Sequence, residues 1–258
     1  MPQQDCITEN MSACCIRVIG GLGNQLFMIA TAFAYAKRFG KDLIVDDTKW
    51  FAGQGNHPNA YKSNIFKNFQ FGSTPADHTV VREKRHNYDE LPFVEGNVLL
   101  AGYFQSLKYF DDYKEEFISL LNTPQFAKQP GRVAFHIRRG DYVMKAHEHL
   151  TCKTNYFESQ FERFDPKSID VFTDSPDYVR SEFSHRDLNI VALESDTQEL
   201  ALMSVYDTIV CSNSSFSWWA SMLGDTKKEV IVPDAWLHGC DFSDIYRQGM
   251  TIVKTKDV

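Results

Sequence analysis

Short apolar bursts alternate along the chain with longer stretches of helical periodicity. Residues 15–19 (Cys-Ile-Arg-Val-Ile) read as a strand that ends in Gly20-Gly-Leu-Gly23. Leu26, Phe27, Ala30, Phe33 and Ala34 then repeat at helical spacing across residues 24–38. Gly40 follows the basic turn Lys37-Arg38, as a helix C-terminus requires. With a strand at residues 43–45 this completes a β-α-β unit of the kind that builds parallel sheets. The polar stretch 50–64 reads as a surface loop, residues 97–101 as a buried strand and residues 106–121 as a helix.

Pro124, Pro130 and Gly131 mark residues 121–131 as a linker, after which the alternation restarts. Strands are expected at 133–137, 169–173, 189–192, 208–211 and 230–232, with helices at 154–164, 176–183, 197–206 and 215–223. The expected fold is therefore α/β, with two doubly wound, Rossmann-like domains, residues 14–125 and 130–258, facing each other across a cleft.

Composition narrows the class. A 43% hydrophobic, 24% charged chain of 258 residues is ordinary for globular proteins and can bury a sizeable core. The net charge of -7 argues against a broad nucleic-acid-binding surface. No run approaches transmembrane length, and residues 1–10 lack the basic start and apolar centre of a signal peptide. Residues 1–13 read as a poorly ordered tail. The six cysteines form no C-x-x-C pair and read as reduced core thiols. Of two N-x-S sequons, at Asn10 and Asn213, the second opens a candidate ligand loop where a glycan would obstruct. A cytoplasmic protein, or one peripheral at the cytosolic face of a membrane, is expected.

Three segments carry candidate chemistry. Gly20-Gly-Leu-Gly-Asn-Gln25 joins a strand to a helix N-terminus, where glycines let backbone N–H groups approach an anion. It imitates the dinucleotide fingerprint, with Asp46 placed for a ribose, although Leu26 replaces the third glycine. His136-Ile-Arg-Arg-Gly-Asp141 leaves a buried strand at its C-terminal end, where open α/β sheets present ligand groups. Alternation separates Arg138, beside His136, from Arg139. One arginine is expected to fork onto phosphate oxygens and the other to pair with Asp141 or another acid. In Cys211-Ser-Asn-Ser-Ser-Phe-Ser-Trp-Trp219, Ser214, Ser215 and Ser217 offer hydroxyls beside a helix N-terminus, with capping as the competing role. Phe216 stands among them, while Trp218 and Trp219 read as core. Asp174 ends another strand as an N-cap or ligand contact, and Glu199 opens a helix toward the same cleft.

There is no P-loop, no H-E-x-x-H, no G-x-S-x-G and no strict D-x-D; no metal site is expected, and His147-Glu-His149 reads as a polar loop. A nucleotide-sugar or nicotinamide-dependent oxidoreductase or epimerase is the competing enzyme class, and a non-catalytic glycan-binding module the third.

At these residues the chain resembles the α1,2-fucosyltransferases of glycosyltransferase family 11. The likeness rests on Gly20 through Phe27, Tyr61-Lys-Ser-Asn-Ile-Phe66, Gly102-Tyr-Phe-Gln-Ser106, His136 through Tyr142, Phe172-Thr-Asp174, and Leu200 through Trp219. The resemblance implies a GT-B-like fold, GDP-β-L-fucose as donor, and inversion to an α1,2 link on a galactose-terminated glycan, with no metal or other cofactor. It implies that Arg138 holds the β-phosphate, that His136 touches the nucleotide side, and that Gly23 and Asn24 reach over from the other domain. Arg139, Asp174, Ser214, Ser215, Phe216 and Ser217 complete the donor surface, with Glu199 where relatives carry Asp for the guanosine end. Asp141, Glu148 and His147 are the general-base candidates, because some related enzymes carry an acid soon after the arginine motif. The chain departs from the pattern in a short stretch after Asp141 and in Asp174-Ser175 for the usual acid pair.

Overall fold

The computed structural model describes residues 12–48, 56–140, 151–224, 228–237 and 239–255. The first half is a five-stranded parallel sheet of order β3-β2-β1-β5-β4, formed by β1 (Ala13–Arg17), β2 (Asp42–Asp46), β3 (Phe71–Gly72), β4 (Thr79–Arg82) and β5 (Val98–Ala101). The second is a six-stranded parallel sheet of order β11-β10-β9-β6-β7-β8. Its strands are β6 (Gln129–Ile137), β7 (Ile169–Thr173), β8 (Asn189–Val191), β9 (Tyr206–Val210), β10 (Glu229–Pro233) and β11 (Met250–Val253). The helices are α1 (Leu22–Phe39), α2 (Asn59–Lys62), α3 (Lys114–Leu120), α4 (Thr154–Phe161), α5 (Pro176–Glu182), α6 (Asp196–Met203) and α7 (Ser215–Met222). These are the two parallel α/β halves that the alternating pattern predicts, in the GT-B arrangement that the resemblance implies.

Several boundaries differ from the sequence reading for local reasons. The helix expected over 106–121 is two 3-10 turns, Leu107–Tyr109 and Asp111–Tyr113, followed by α3, because Ser106 Oγ accepts from Lys108 N and closes a tight turn. The helix expected to reach 206 stops at Met203: Ser204 Oγ bonds back to Ala201 O, and Tyr206 already belongs to β9. Pro130 and Gly131, assigned to the linker, lie inside β6. They fall where its register against β9 shifts, and Gly131 has φ +70°. Residues 59–62 of the expected loop form α2.

The two halves share one hydrophobic core. Helix α1 is buried on almost every side from Leu22 to Ala36, since it covers its own sheet with one face and meets α7 with another. Phe27 packs against Trp218 and Trp219 at ring separations of 4.4 and 5.3 Å, while Phe110 stacks on Trp219 at 5.5 Å and Phe117 closes at 5.8 Å. Along α1 and α7 the space between the sheets is thus an aromatic seam. Residues 241–245 also cross to the first half: Phe242 stacks on His86 at 4.2 Å, and Asp244 accepts from Lys108 Nζ (2.6 Å) and Tyr88 N (2.9 Å). Cys14, Cys15, Cys152 and Cys211 are buried thiols as expected, whereas Cys240 is exposed.

Truncating Trp219 removes a ring that contacts Phe27, Phe110 and Phe117 of the first half. Trp219→Ala is expected to destabilise the protein by about 3–5 kcal/mol. Urea unfolding followed by fluorescence and circular dichroism should show one transition shifted as a unit; two separated transitions would mean that the halves are independent.

Candidate functional site

Each sheet has a switch point, the place where successive connections leave in opposite directions, and there strand ends leave a crevice. In the first sheet it lies between β1 and β5, followed by Gly20–Asn24 and Gly102–Gln105; in the second it lies between β6 and β9, followed by Arg138 and by Ser212–Ser215. The seam brings the two crevices together.

Gly23, in the first turn of α1, makes that meeting possible. A Cβ there would lie 2.4 Å from Ser215 C and 2.5 Å from Phe216 N, so no other residue fits this backbone contact. Asn24 completes it: its Oδ1 accepts from Ser215 Oγ across the seam (2.6 Å) and from Gln105 Nε2 (2.8 Å). The N-termini of α1 and α7 therefore converge, each carrying about half a positive charge. Like ends in contact are unfavourable unless an anion lies between them.

The strand end of β6 supplies further positive potential. Ser212 Oγ donates to His136 O (2.7 Å) and accepts from Arg138 N (3.0 Å), locking this end to the loop before α7. The His136 ring is buried 5.4 Å from the Phe216 ring. Burial, reinforced by the Arg138 cation, pushes its imidazole down to about 3, so it stays neutral. Arg138 Nη1 pairs with Asp174 Oδ2 at 2.9 Å, and Asp174 Oδ1 accepts from Arg139 N at 2.9 Å. The Arg139 guanidinium lies 3.8 Å over the Tyr178 ring. The expected division is thus altered: the acid pairs with Arg138, and Arg139 takes an aromatic face.

Other expectations change on similar grounds. Asp174 is not the N-cap of α5; that position is Ser175, and the carboxylate instead binds the arginine turn. Ser214 caps α7 by accepting from Phe216 N (3.3 Å). Ser217 is fully buried with its hydroxyl bonded to Ser214 O, so it is no surface donor. Half-buried Glu199 accepts from Leu193 N (3.4 Å), and burial raises its carboxyl above the ordinary range. Asn213 is buried, with Nδ2 on Trp236 O (2.9 Å), which leaves that sequon no room for a glycan. Asp141, His147 and Glu148 lie outside the described residues. Sequence reasoning gave no role to Ser212 or Gln105, or to Asp196, which accepts from Tyr61 and Asn56 of the first half. Their signal was position alone, one at each strand or helix junction around the seam.

The dinucleotide reading of Gly20–Gly23 loses its ribose acid. Asp46 is buried and its carboxylate already accepts from Thr48 N (3.0 Å), Thr48 Oγ1 (2.6 Å), Thr74 Oγ1 (2.6 Å) and Arg17 Nη2 (3.0 Å). These donors hold it well below the usual carboxylate range against the opposing effect of burial. Among the described residues no group of three or more His, Cys, Asp or Glu side chains is placed to hold a metal ion, and no helix is long and apolar enough to cross a membrane.

Two parallel α/β halves, joined through opposed helix N-termini beside an arginine-bearing strand end, define the class of the GT-B glycosyltransferases. The chain belongs to glycosyltransferase family 11, whose family model matches residues 10–251. It is similar to an α-1,2-colitosyltransferase of Escherichia coli, with 26% identity covering 88% of this chain and 93% of that protein. It is also similar to the O-antigen biosynthesis glycosyltransferase WbnK of Escherichia coli, at 23% identity over 85% and 93% of the two chains. Among solved structures, the fucosyltransferase NodZ from Bradyrhizobium matches with a TM-score of 0.54 at 15% identity, covering 83% of this chain and 93% of that one.

The buried imidazole makes stability depend on pH. Unfolded, His136 titrates near 6.5 and takes up a proton that the folded site refuses down to about 3. Its contribution is therefore intact above pH 6.5 and is lost as pH falls toward 3. His136→Gln should flatten urea-measured stability between pH 7 and 4 relative to wild type, by a slope of up to about 1.4 kcal/mol per pH unit. Parallel curves for the two proteins would refute the assignment.

Proposed function

We propose that this family 11 glycosyltransferase transfers L-fucose from GDP-β-L-fucose to O2 of a terminal β-galactoside, with inversion and without a metal. The observation that carries the donor reading is the convergence of the α1 and α7 N-termini on the strand end that bears His136 and Arg138. That arrangement suits a nucleoside diphosphate, whose charge grows on the leaving oxygen as the glycosidic bond breaks. The α1,2 linkage is supported by the name of the 26%-identical relative and by the motif resemblance, and the fucose donor by that resemblance alone.

In this reading the acceptor hydroxyl attacks the anomeric carbon while GDP leaves from the opposite face. Arg138 meets the charge developing on the β-phosphate, and Asp174 holds its guanidinium ready before the donor binds. Asn24 and the N–H groups opening α1 contribute from the first half, and the start of α7 with Ser215 and Phe216 contributes from the second. A neutral His136 offers the nucleotide side a polar edge without adding a buried charge. The general base is proposed to be Asp141 or Glu148, in the segment after the arginine turn. The absence of any D-x-D motif supports the metal-independent reading. A second reading, transfer of colitose, is favoured by the name of the same relative.

The deciding experiment incubates the enzyme with labelled GDP-fucose or GDP-colitose and a panel of β-galactosides, followed by linkage analysis. An α1,2-linked fucosyl product is expected; transfer of colitose alone would select the second reading, and no transfer from either donor would refute both. Arg138→Ala should lower kcat by about 10²–10³-fold, as the loss of a single charge-stabilising donor does. Activity should also survive EDTA treatment unchanged, and restoration of lost activity by Mg²⁺ would overturn metal independence.

A further inference from the structure

The loop after β5 carries strain that the donor contacts just described do not explain. Phe104 is fully buried with φ +52°, a left-handed conformation that a bulky side chain adopts only when its surroundings force it. The forcing group is Glu83, at the end of β4. Its two carboxylate oxygens accept from Tyr103 N (2.7 Å) and Phe104 N (2.9 Å). Gly102 admits this carboxylate because a Cβ there would lie 2.3 Å from Glu83 Cβ. Bent in this way, the loop delivers Gln105 to Asn24.

With Gln105 Nε2 and Ser215 Oγ both donating to Asn24 Oδ1, the amide of Asn24 has a fixed orientation. Its Nδ2 lies on the Gly20 side, where a Cβ on residue 20 would sit only 2.5 Å away, and it has no acceptor among the described residues. We infer that Gln105, held by the Glu83-braced loop, is a positioning residue that keeps the Nδ2–H of Asn24 turned toward the donor diphosphate. This rests on the proposed nucleotide donor and extends it: the β4 and β5 strand ends of the first half set the polarity of the phosphate site.

A positioning role of this kind is sensitive to charge as well as to packing. In Gln105→Ala the Asn24 amide loses one of the donors that fix it, and GDP binding should weaken by about 3–10-fold. In Gln105→Glu the new carboxylate attracts Nδ2 and turns Oδ1 toward the phosphate, so the loss should be greater, about 30–100-fold. The thermal midpoint should stay near that of wild type in both. Calorimetric titration of the full chain with GDP reads this order, and Asn24→Ala completes the cycle, because on that background Gln105→Glu should cost less than a third of its single-variant effect. Affinity in the order Gln, Ala, Glu, with coupling to Asn24, supports the inference. Equal affinities for all three, or an unchanged Glu effect without Asn24, overturns it while leaving the donor reading standing. A wild-type chain that fails to bind GDP overturns both.

Discussion

The close approach of two backbones, at Gly23 on α1 and Ser215–Phe216 on α7, governs the rest of the molecule. It places the positive ends of two helices side by side, next to a cationic strand end, in a half-buried setting. The surrounding chemistry keeps that concentration of charge tolerable. His136 remains neutral, Asp174 pairs with Arg138, and Asn24 bridges the seam with an amide rather than an ion. In the proposed function the donor diphosphate would relieve what repulsion is left, which would couple binding to the stability of the seam.

The seam is correspondingly a poor hinge. Rotating the halves apart would expose Phe27, Trp218 and Trp219, at roughly 1.5–3 kcal/mol for each large apolar side chain. Polar ties flank the aromatic centre, with Asp196 accepting from Tyr61 and Asn56 on one side and Asp244 accepting from Lys108 and Tyr88 on the other. Within each sheet a buried carboxylate does similar work. Asp46 gathers Arg17, Thr48 and Thr74, and Asp170 gathers Arg132, Asn189 and Tyr206. These ties stiffen the scaffold around the site, which suits the charge stabilisation proposed for it.

Much of this was legible in the sequence because strand ends at switch points are marked by small and polar residues. Gly20–Asn24, His136–Arg139 and Ser214–Phe216 are all recognisable from the sequence. Side-chain partnerships were less so: alternation on β6 separated the two arginines but could not show that Asp174 would take Arg138 and Tyr178 would take Arg139. Strands β3 and β4 escaped notice because short, partly exposed edge strands lack a buried alternating face. The shared core also has a sign in the sequence. Residues 26–36 are apolar beyond a single stripe, and a helix apolar on all sides must be covered on all sides.

The glycine-rich turn shows why a motif has to be judged by what surrounds it. In a dinucleotide site its glycines admit a pyrophosphate, the third lets the helix approach its own sheet, and an acid on the next strand binds a ribose. Here Leu26 fills the third position as a fully buried core residue, and Asp46 is saturated by its own half. Gly20 makes room for the Asn24 amide, and Gly23 admits the backbone of the opposite half instead of a ligand. The same local signature has thus become the surface on which two domains meet, and the donor site proposed there would belong to neither alone. A match to the fingerprint predicts a close approach at the helix N-terminus; which group makes that approach depends on the rest of the chain.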